Sequence, residues 1–120
     1  MKEPTLLEKQ ACFSILFSKL ICDIVRRGYS VTLGECWRPP EMASIYAKQG
    51  KGIKNSLHTL RLAADINIFF KNKLLTKKED YEGIALYWKS LGTLEFKTAW
   101  GGDFKSGDFG HFSIAHNGVK

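Results

Sequence analysis

The stretch SLHTLRLAADINIF, residues 56–69, decides how this chain folds. Its apolar run from Ala63 to Phe70 predicts a β-strand that is largely buried. Asp65 lies in the middle of that strand. An ionised carboxylate in apolar surroundings costs on the order of several kcal/mol, so buried charges are normally paired or bound to a metal. The stretch therefore predicts a partner for Asp65.

The composition is that of one globular domain. The chain has 120 residues, of which 44% are hydrophobic and 25% charged, which is enough for one core but not for two. No apolar run reaches the roughly 18 residues of a membrane span, and residues 1–10 lack the order of regions found in a signal peptide. We therefore expect one domain over residues 1–120, made in the cytoplasm without an export signal and not inserted in a membrane.

The chain is basic, with a net charge of +6 and a pI near 9.3. Such a charge attracts polyanions, among them nucleic acid, anionic lipid and anionic cell wall, and composition alone does not choose between them. The lysines are dispersed and carry no aromatic interleaving or nucleic-acid-binding motif. A charge excess of this kind is usually a solvated surface, so we expect no nucleic-acid partner.

The cysteines do not form a disulfide framework. There are three of them, Cys12, Cys22 and Cys36, and none of them forms a C-x-x-C motif. An odd number without that spacing predicts free thiols, and free cysteine usually behaves as a small hydrophobic residue. We therefore expect reduced, buried thiols.

Hydrophobic periodicity predicts helices and strands in irregular order. Helical spacing from Thr5 to Arg27, followed by Gly28, predicts an amphipathic first helix. A half-buried strand is predicted in residues 29–38, a short helix in 40–49 and a polar loop in 50–55.

The second half of the chain adds strands and one further helix. Its predicted elements are a strand at Ala63–Phe70, a return strand at Lys73–Leu75, a helix from about Lys77 to Leu91 and a last strand at His111–Ala115. Thr76 and Glu79 match a capping box for the helix. Because helices and strands do not alternate strictly, the sequence predicts the α+β class with a small antiparallel sheet and flanking helices.

The candidate metal ligands are His58, Asp65 and His111. A zinc hydrolase needs about three ligands from histidine and carboxylate, an open position and a base nearby. The chain has three histidines, so candidates are few. If the second and last strands are neighbours, the three side chains can converge, and a metal ion becomes the partner of Asp65. From spacing alone this is a weak pattern, because single histidines and aspartates are more often satisfied by hydrogen bonds.

A family resemblance strengthens the pattern. It is carried, over about residues 28 to 112, by three motifs in order: Ser56-x-His58-x-x-x-x-Ala63-x-Asp65, Trp100-Gly101-Gly102 and Asp108-x-x-His111-Phe112. These motifs resemble the M15 zinc peptidases, which include the D-alanyl-D-alanine carboxypeptidases and the phage L-alanyl-D-glutamate endolysins. The resemblance implies the Hedgehog/DD-peptidase fold.

The resemblance also implies roles for individual residues. His58, Asp65 and His111 match the zinc ligands, and Asp108 matches the general acid/base carboxylate. The alternative for Asp108 is a turn-forming aspartate in SGDFG, and Asp103 is its rival for the role of base.

The resemblance makes Arg38, at the end of the predicted first strand, a catalytic and substrate-binding residue that holds a carboxylate or a developing oxyanion. An ordinary surface arginine is the alternative. Ser56 is expected at the rim of the site, orienting a ligand or binding substrate, with a local turn hydrogen bond as its alternative. Arg61 replaces a glycine that many members of the family have, which leaves the shape of this loop open.

The remaining residues of the motif region are expected to be structural. The sequence favours a core position for Trp100, a tight turn for Gly101 and Gly102, and a surface or turn position for His116.

The function implied is zinc-dependent hydrolysis of peptidoglycan stem peptides. The resemblance favours a monomeric phage endolysin that cuts L-alanyl-D-glutamate and acts in the periplasm or cell wall of its host. A D-alanyl-D-alanine carboxypeptidase is the close alternative. A non-catalytic zinc-containing binding module is the other one, and Asp108 argues against it.

Overall fold

A computed structural model of the protein describes residues 3–51 and 56–120. Residues 52–55, in the predicted polar loop, lie outside the described residues. The described helices are α1 (Leu6–Arg26), α2 (Pro40–Lys48) and α3 (Lys78–Ser90), and the described strands are β1 (Ser30–Leu33), β2 (Ala63–Phe70), β3 (Lys73–Leu74), β4 (Thr98–Trp100) and β5 (His111–Ile114). Two 3₁₀ turns cover Leu57–Leu60 and Gly101–Asp103. None of the described helices is long and apolar enough to cross a bilayer.

The strands form one antiparallel sheet in the order β1-β2-β5-β4, and the short β3 pairs with the end of β2. In the centre, Ala64 pairs with Phe112 and Asp65 with His111. The α+β prediction is therefore confirmed. The second and last predicted strands are neighbours, as convergence of the three candidate ligands requires.

The two faces of β2 have different environments. Ala64, Ile66 and Ile68 are buried in the core that α1 and α3 complete. Asp65 and Asn67 point to the other, more open face, because successive side chains of a strand alternate. The side chain of Asp65 is 34% exposed, so it is half-buried rather than fully buried as the apolar run suggested.

The strand β1 ends earlier than predicted, at Leu33 rather than at Arg38. The backbone N–H of Gly34 donates to the Asp65 carbonyl at 2.7 Å, and the Asp65 N–H donates to the Glu35 carbonyl at 2.9 Å. Two residues of one strand thus face one residue of the other, which is the arrangement of a β-bulge. Beyond it the chain leaves the sheet, and Arg38 lies in a loop.

The capping box predicted at Thr76 and Glu79 is wrong. The helix α3 begins after Lys77, whose side chain makes no cap hydrogen bond. Glu79 instead lies in the first turn, where its negative charge favours the positive end of the helix dipole. A capping box does occur at α1, where Thr5 and Glu8 exchange hydrogen bonds of 2.9 and 3.1 Å.

The three cysteines are free, as predicted, but the prediction that they are buried is wrong. Cys22 and Cys36 are exposed and Cys12 is half-buried. The core side of α1 is filled by larger apolar side chains such as Leu20 and Ile24, which leaves Cys22 facing water.

Candidate metal centre

The three predicted metal ligands come together in the structure. One ligand atom from each of His58, Asp65 and His111 lies within 4.8 Å of the other two. His58 Nε2 and His111 Nδ1 each lie 3.4 Å from Asp65 Oδ1. Both imidazoles are almost fully buried. The geometry therefore gathers two nitrogens around one carboxylate oxygen at the open face of the sheet.

Local structure explains how His58 reaches this point. Ser56 begins the 3₁₀ turn, and its Oγ accepts a hydrogen bond from the His58 N–H at 3.3 Å. Ser56 is buried and lines the cavity that contains the three candidate ligands. Both sequence-based alternatives therefore hold, because Ser56 lies at the site and also makes the local turn hydrogen bond.

The turn ends at Arg61, which has φ 58° and ψ 35°, in the left-handed region. Glycine adopts this conformation without strain, which accounts for the glycine that the family resemblance leads one to expect here. In this chain the Arg61 guanidinium lies over the Trp37 ring, 4.6 Å from its centre, and this contact offsets part of the strain. The loop left open by the sequence is therefore a 3₁₀ turn that ends in the left-handed region.

The ligand set fits a metal ion. Among the described residues, Asp65 Oδ1 is buried without a hydrogen-bond partner, and it lies 3.4 Å from one nitrogen of each imidazole. Leaving a buried polar atom unpaired costs about 1–3 kcal/mol, and a cation between Asp65 and the two imidazoles would satisfy this oxygen. Two imidazoles and one carboxylate are a set that catalytic zinc sites use. The residues present thus suit a single zinc-like ion.

The two carboxylates of the site, Asp65 and Asp108, have pKa values that are shifted in opposite directions. Burial raises the pKa of Asp65, but the neighbouring His111 and His58 outweigh this effect and hold the pKa well below its usual range. Asp65 is therefore ionised at neutral pH, the form that binds a metal. Burial, and then the charge of Asp65, raise the pKa of Asp108 above its usual value. Asp108 thus binds a proton more readily than an aspartate without these surroundings does.

The structure separates Asp108 from its rival Asp103. Asp108 Oδ2 lies 3.9 Å from His111 Nδ1, and the residue lines the cavity that contains the three ligands. The Asp103 side chain is as exposed as that of Asp108, but its Oδ2 pairs with Lys89 Nζ at 2.7 Å, outside the cavity. Of the two carboxylates, Asp108 is the one in place to exchange a proton at the centre.

The loop that carries Asp108 is fixed by close packing against the Trp-Gly-Gly segment. The Trp100 indole N–H donates to the Phe109 carbonyl at 2.8 Å, and Trp100 is buried, as predicted. A Cβ on Gly101 would lie 2.0 Å from the Asp108 carbonyl oxygen and 2.7 Å from His111 Cβ. Gly101 is therefore required by the close approach of two chain segments.

The ligands open into a cavity of about 420 Å³ whose wall carries the positive residues Arg38, Lys51 and Lys120. The side chain of Arg38 is only 14% exposed, so the alternative of an ordinary surface arginine is wrong. Its Nε donates to Glu35 Oε1 at 2.7 Å, and its guanidinium lies 5.0 Å from the centre of the Tyr46 ring. Sequence reasoning missed Glu35, because the strand predicted over residues 29–38 would place Glu35 and Arg38 on opposite faces.

His116 lies away from this centre, as predicted. It forms an isolated β-bridge with Val119, and its Nδ1 lies 2.9 Å from Lys9 Nζ. Burial and the nearby Lys9 lower the pKa of His116. His116 is not among the side chains that converge at the centre.

Two imidazoles and a carboxylate, with a second carboxylate beside them in the same cavity, are the groups that a metallohydrolase centre uses. The M15 peptidase family model described as D-alanyl-D-alanine carboxypeptidase matches residues 49–114, and the chain belongs to this family. The matched residues include the three candidate ligands and Asp108.

The fold is similar to that of a solved structure, the L-Ala D-Glu endopeptidase ChiX of Serratia marcescens. The TM-score is 0.64 at 19% sequence identity, and the match covers 82% of this chain and 77% of that chain. At this identity the likeness establishes the fold. A search of curated proteins found no match.

Proposed function

We propose that this protein is a zinc-dependent peptidase that cuts the stem peptides of peptidoglycan, with the L-alanyl-D-glutamate bond as its first candidate. The observation that carries the proposal is the convergence of His58, Asp65 and His111 beside Asp108 in one open cavity. Membership of the M15 peptidases supports it. So does the fold shared with ChiX, an L-Ala D-Glu endopeptidase.

In this proposal His58, Asp65 and His111 hold the zinc ion. The ion supplies Lewis-acid polarisation of the scissile carbonyl and of the attacking water. Asp108 accepts the proton of that water at its carboxylate and returns it to the leaving nitrogen as the peptide bond breaks. The position of Asp108 suits both steps, because it lies beside the three proposed ligands in the same cavity.

The polar rim of the cavity would bind the substrate. The Arg38 guanidinium offers donors to a substrate carboxylate or to the carbonyl oxygen on which charge develops. Ser56 lies at the same cavity and fixes the backbone at His58. Stem peptides are rich in carboxylates and walls carry anionic polymers, so the net charge of +6 favours approach to this substrate.

The biological setting belongs to the same proposal. We infer a phage lysin that acts as a monomer in the periplasm or cell wall of the host. The D-alanyl-D-alanine carboxypeptidase activity is kept as the second candidate, because it is the description of the matching family model.

The experiment is digestion of purified peptidoglycan with the zinc-loaded protein, followed by mass spectrometry of the new termini. We expect fragments that begin with D-glutamate and strands that end in L-alanine. Release of free D-alanine instead would assign the carboxypeptidase activity. If the zinc-loaded protein released neither product, the proposed hydrolysis would be wrong, and a zinc-containing binding module would take its place.

A further inference from the structure

Glu35 has no role in the mechanism above, yet it lies between two residues that do. Its Oε1 accepts a hydrogen bond from Arg38 Nε at 2.7 Å and lies 2.5 Å from Arg38 Nη2. The same oxygen lies 3.8 Å from His58 Nδ1. One carboxylate oxygen is therefore close to both the proposed substrate-binding arginine and a proposed metal ligand.

His58 needs a partner on the side where Glu35 lies. Its Nε2 points towards Asp65, at 3.4 Å, which leaves Nδ1 on the opposite side of the ring. In the described part of the chain, this nitrogen is buried and has no hydrogen-bond partner. A metal-binding histidine almost always donates its second ring N–H to a carboxylate, a carbonyl or water, which fixes the tautomer and the ring orientation. Glu35 Oε1 is a carboxylate acceptor less than 1 Å beyond hydrogen-bond distance.

The backbone holds Glu35 in this place independently of its side-chain contacts. The Glu35 carbonyl accepts the Asp65 N–H at 2.9 Å, within the bulge that ends β1. Three residues further on, the Arg38 N–H donates to the His58 carbonyl at 3.1 Å. The loop is thus bound at both ends to the segments that carry metal ligands, and the Glu35 side chain projects from its fixed part.

We propose that Glu35 is a positioning residue, whose carboxylate accepts the Nδ1–H of His58 while it binds the guanidinium of Arg38. This inference rests on the proposed metal site. It makes the orientation of the metal ligand depend on the same side chain as the orientation of the substrate-binding arginine. Replacing a partner of this kind typically lowers metal affinity about 10- to 100-fold.

The test is the zinc dissociation constant of Glu35→Gln, measured by competition with a chromophoric chelator. The matched control is Glu41→Gln, an exposed carboxylate in the first turn of α2. We expect Glu35→Gln to bind zinc about 10- to 100-fold more weakly than the wild type, and Glu41→Gln to bind it equally well. Melting of the metal-free proteins separates this effect from a general loss of stability. Equal zinc affinity in the two variants, with a lower melting temperature for Glu35→Gln alone, would overturn the proposal.

A second measurement uses the wild type alone, so it tests the role of Glu35 even if Glu35→Gln fails to fold. In nitrogen-15 NMR spectra of the zinc-loaded wild type, His58 should be the Nδ1–H tautomer with a slowly exchanging, hydrogen-bonded proton. An Nδ1 proton that exchanges freely with water, or the Nε2–H tautomer, would contradict the role of Glu35. If the wild type bound no zinc at all, the metal site itself would be wrong, a failure distinct from that of Glu35.

Discussion

The candidate centre is built in different ways on its two sides. On the sheet side, Asp65 and His111 face each other in the paired strands β2 and β5, so backbone hydrogen bonds set their separation. On the loop side, His58 lies in a 3₁₀ turn capped by Ser56, and the Arg38 guanidinium is bound by the Glu35 carboxylate. Two of the three proposed metal ligands thus depend on strand pairing, whereas the third ligand and the proposed substrate contacts depend on individual side chains in loops and turns. Variants on the two sides should therefore fail differently.

The largest effect is expected on the sheet side, from His111→Ala. Removing this ligand leaves two protein ligands, so zinc affinity should fall by more than the roughly 100-fold that outer-shell changes cost, and hydrolysis should be lost. Zinc analysis after dialysis measures the first effect. His116→Ala is the control, since His116 contacts Lys9 rather than the centre. Full zinc occupancy in His111→Ala would contradict the assignment of His111 as a metal ligand.

The next effect separates metal binding from catalysis. Asp108→Asn keeps the shape of the side chain but removes its basic oxygen, so turnover should fall about 10²- to 10⁴-fold while zinc stays bound. Asp103→Asn is the control, because Asp103 pairs with Lys89 outside the cavity. Rates on peptidoglycan and zinc content are measured for both. A larger loss of turnover in Asp103→Asn would mean that the base has been misassigned.

A smaller effect tests the packing that supports the sheet side. In Gly101→Ala the new Cβ would overlap the Asp108 carbonyl oxygen, so we expect a loss of about 1–3 kcal/mol in unfolding free energy, together with weaker zinc binding. Gly83→Ala is the control: it lies inside α3, where alanine is favoured over glycine by up to about 1 kcal/mol, and its Cβ meets only the end of Arg27. Denaturant titration compares the two. Equal stabilities would show that the close approach at Gly101 is unimportant.

The smallest effect concerns the loop side, at the left-handed residue Arg61. Arg61→Ala keeps the backbone strain and loses the contact with Trp37, whereas Arg61→Gly loses the same contact and relieves the strain. We expect the alanine variant to be the less stable by about 1 kcal/mol, with similar zinc affinity in both. Thermal unfolding gives the difference. An alanine variant as stable as the glycine variant would show that the left-handed backbone at residue 61 is not strained.

The sequence predicted the long elements and the ligands better than it predicted the connections. The strand β2 and the helix α1 have strong periodic patterns, and the order of the motifs indicated the convergence of the ligands. The bulge after Leu33 depends on pairing with Asp65, a contact distant in sequence that no local pattern contains. The strand β4 has three residues and exists because β5 lies beside it, so it too was missed.

The exposure of Asp65 and the position of Glu35 were also missed, because both depend on contacts between segments distant in sequence. Asp65 was expected to be buried, because alternation between a core face and an open face is hard to recognise in a run that is almost entirely apolar. Glu35 was overlooked because its position relative to His58 comes from the bulge and not from sequence spacing.

The central claim is that His58, Asp65 and His111 hold a catalytic zinc ion, and X-ray absorption spectroscopy of the zinc-loaded wild type tests it most directly. We expect about one zinc ion per chain, with two imidazole nitrogens and carboxylate or water oxygens at about 2.0–2.2 Å. The imidazole signal should weaken in His58→Ala. A shell that contains sulfur at about 2.3 Å, or one without imidazole, would contradict the claim, because zinc would then be bound elsewhere.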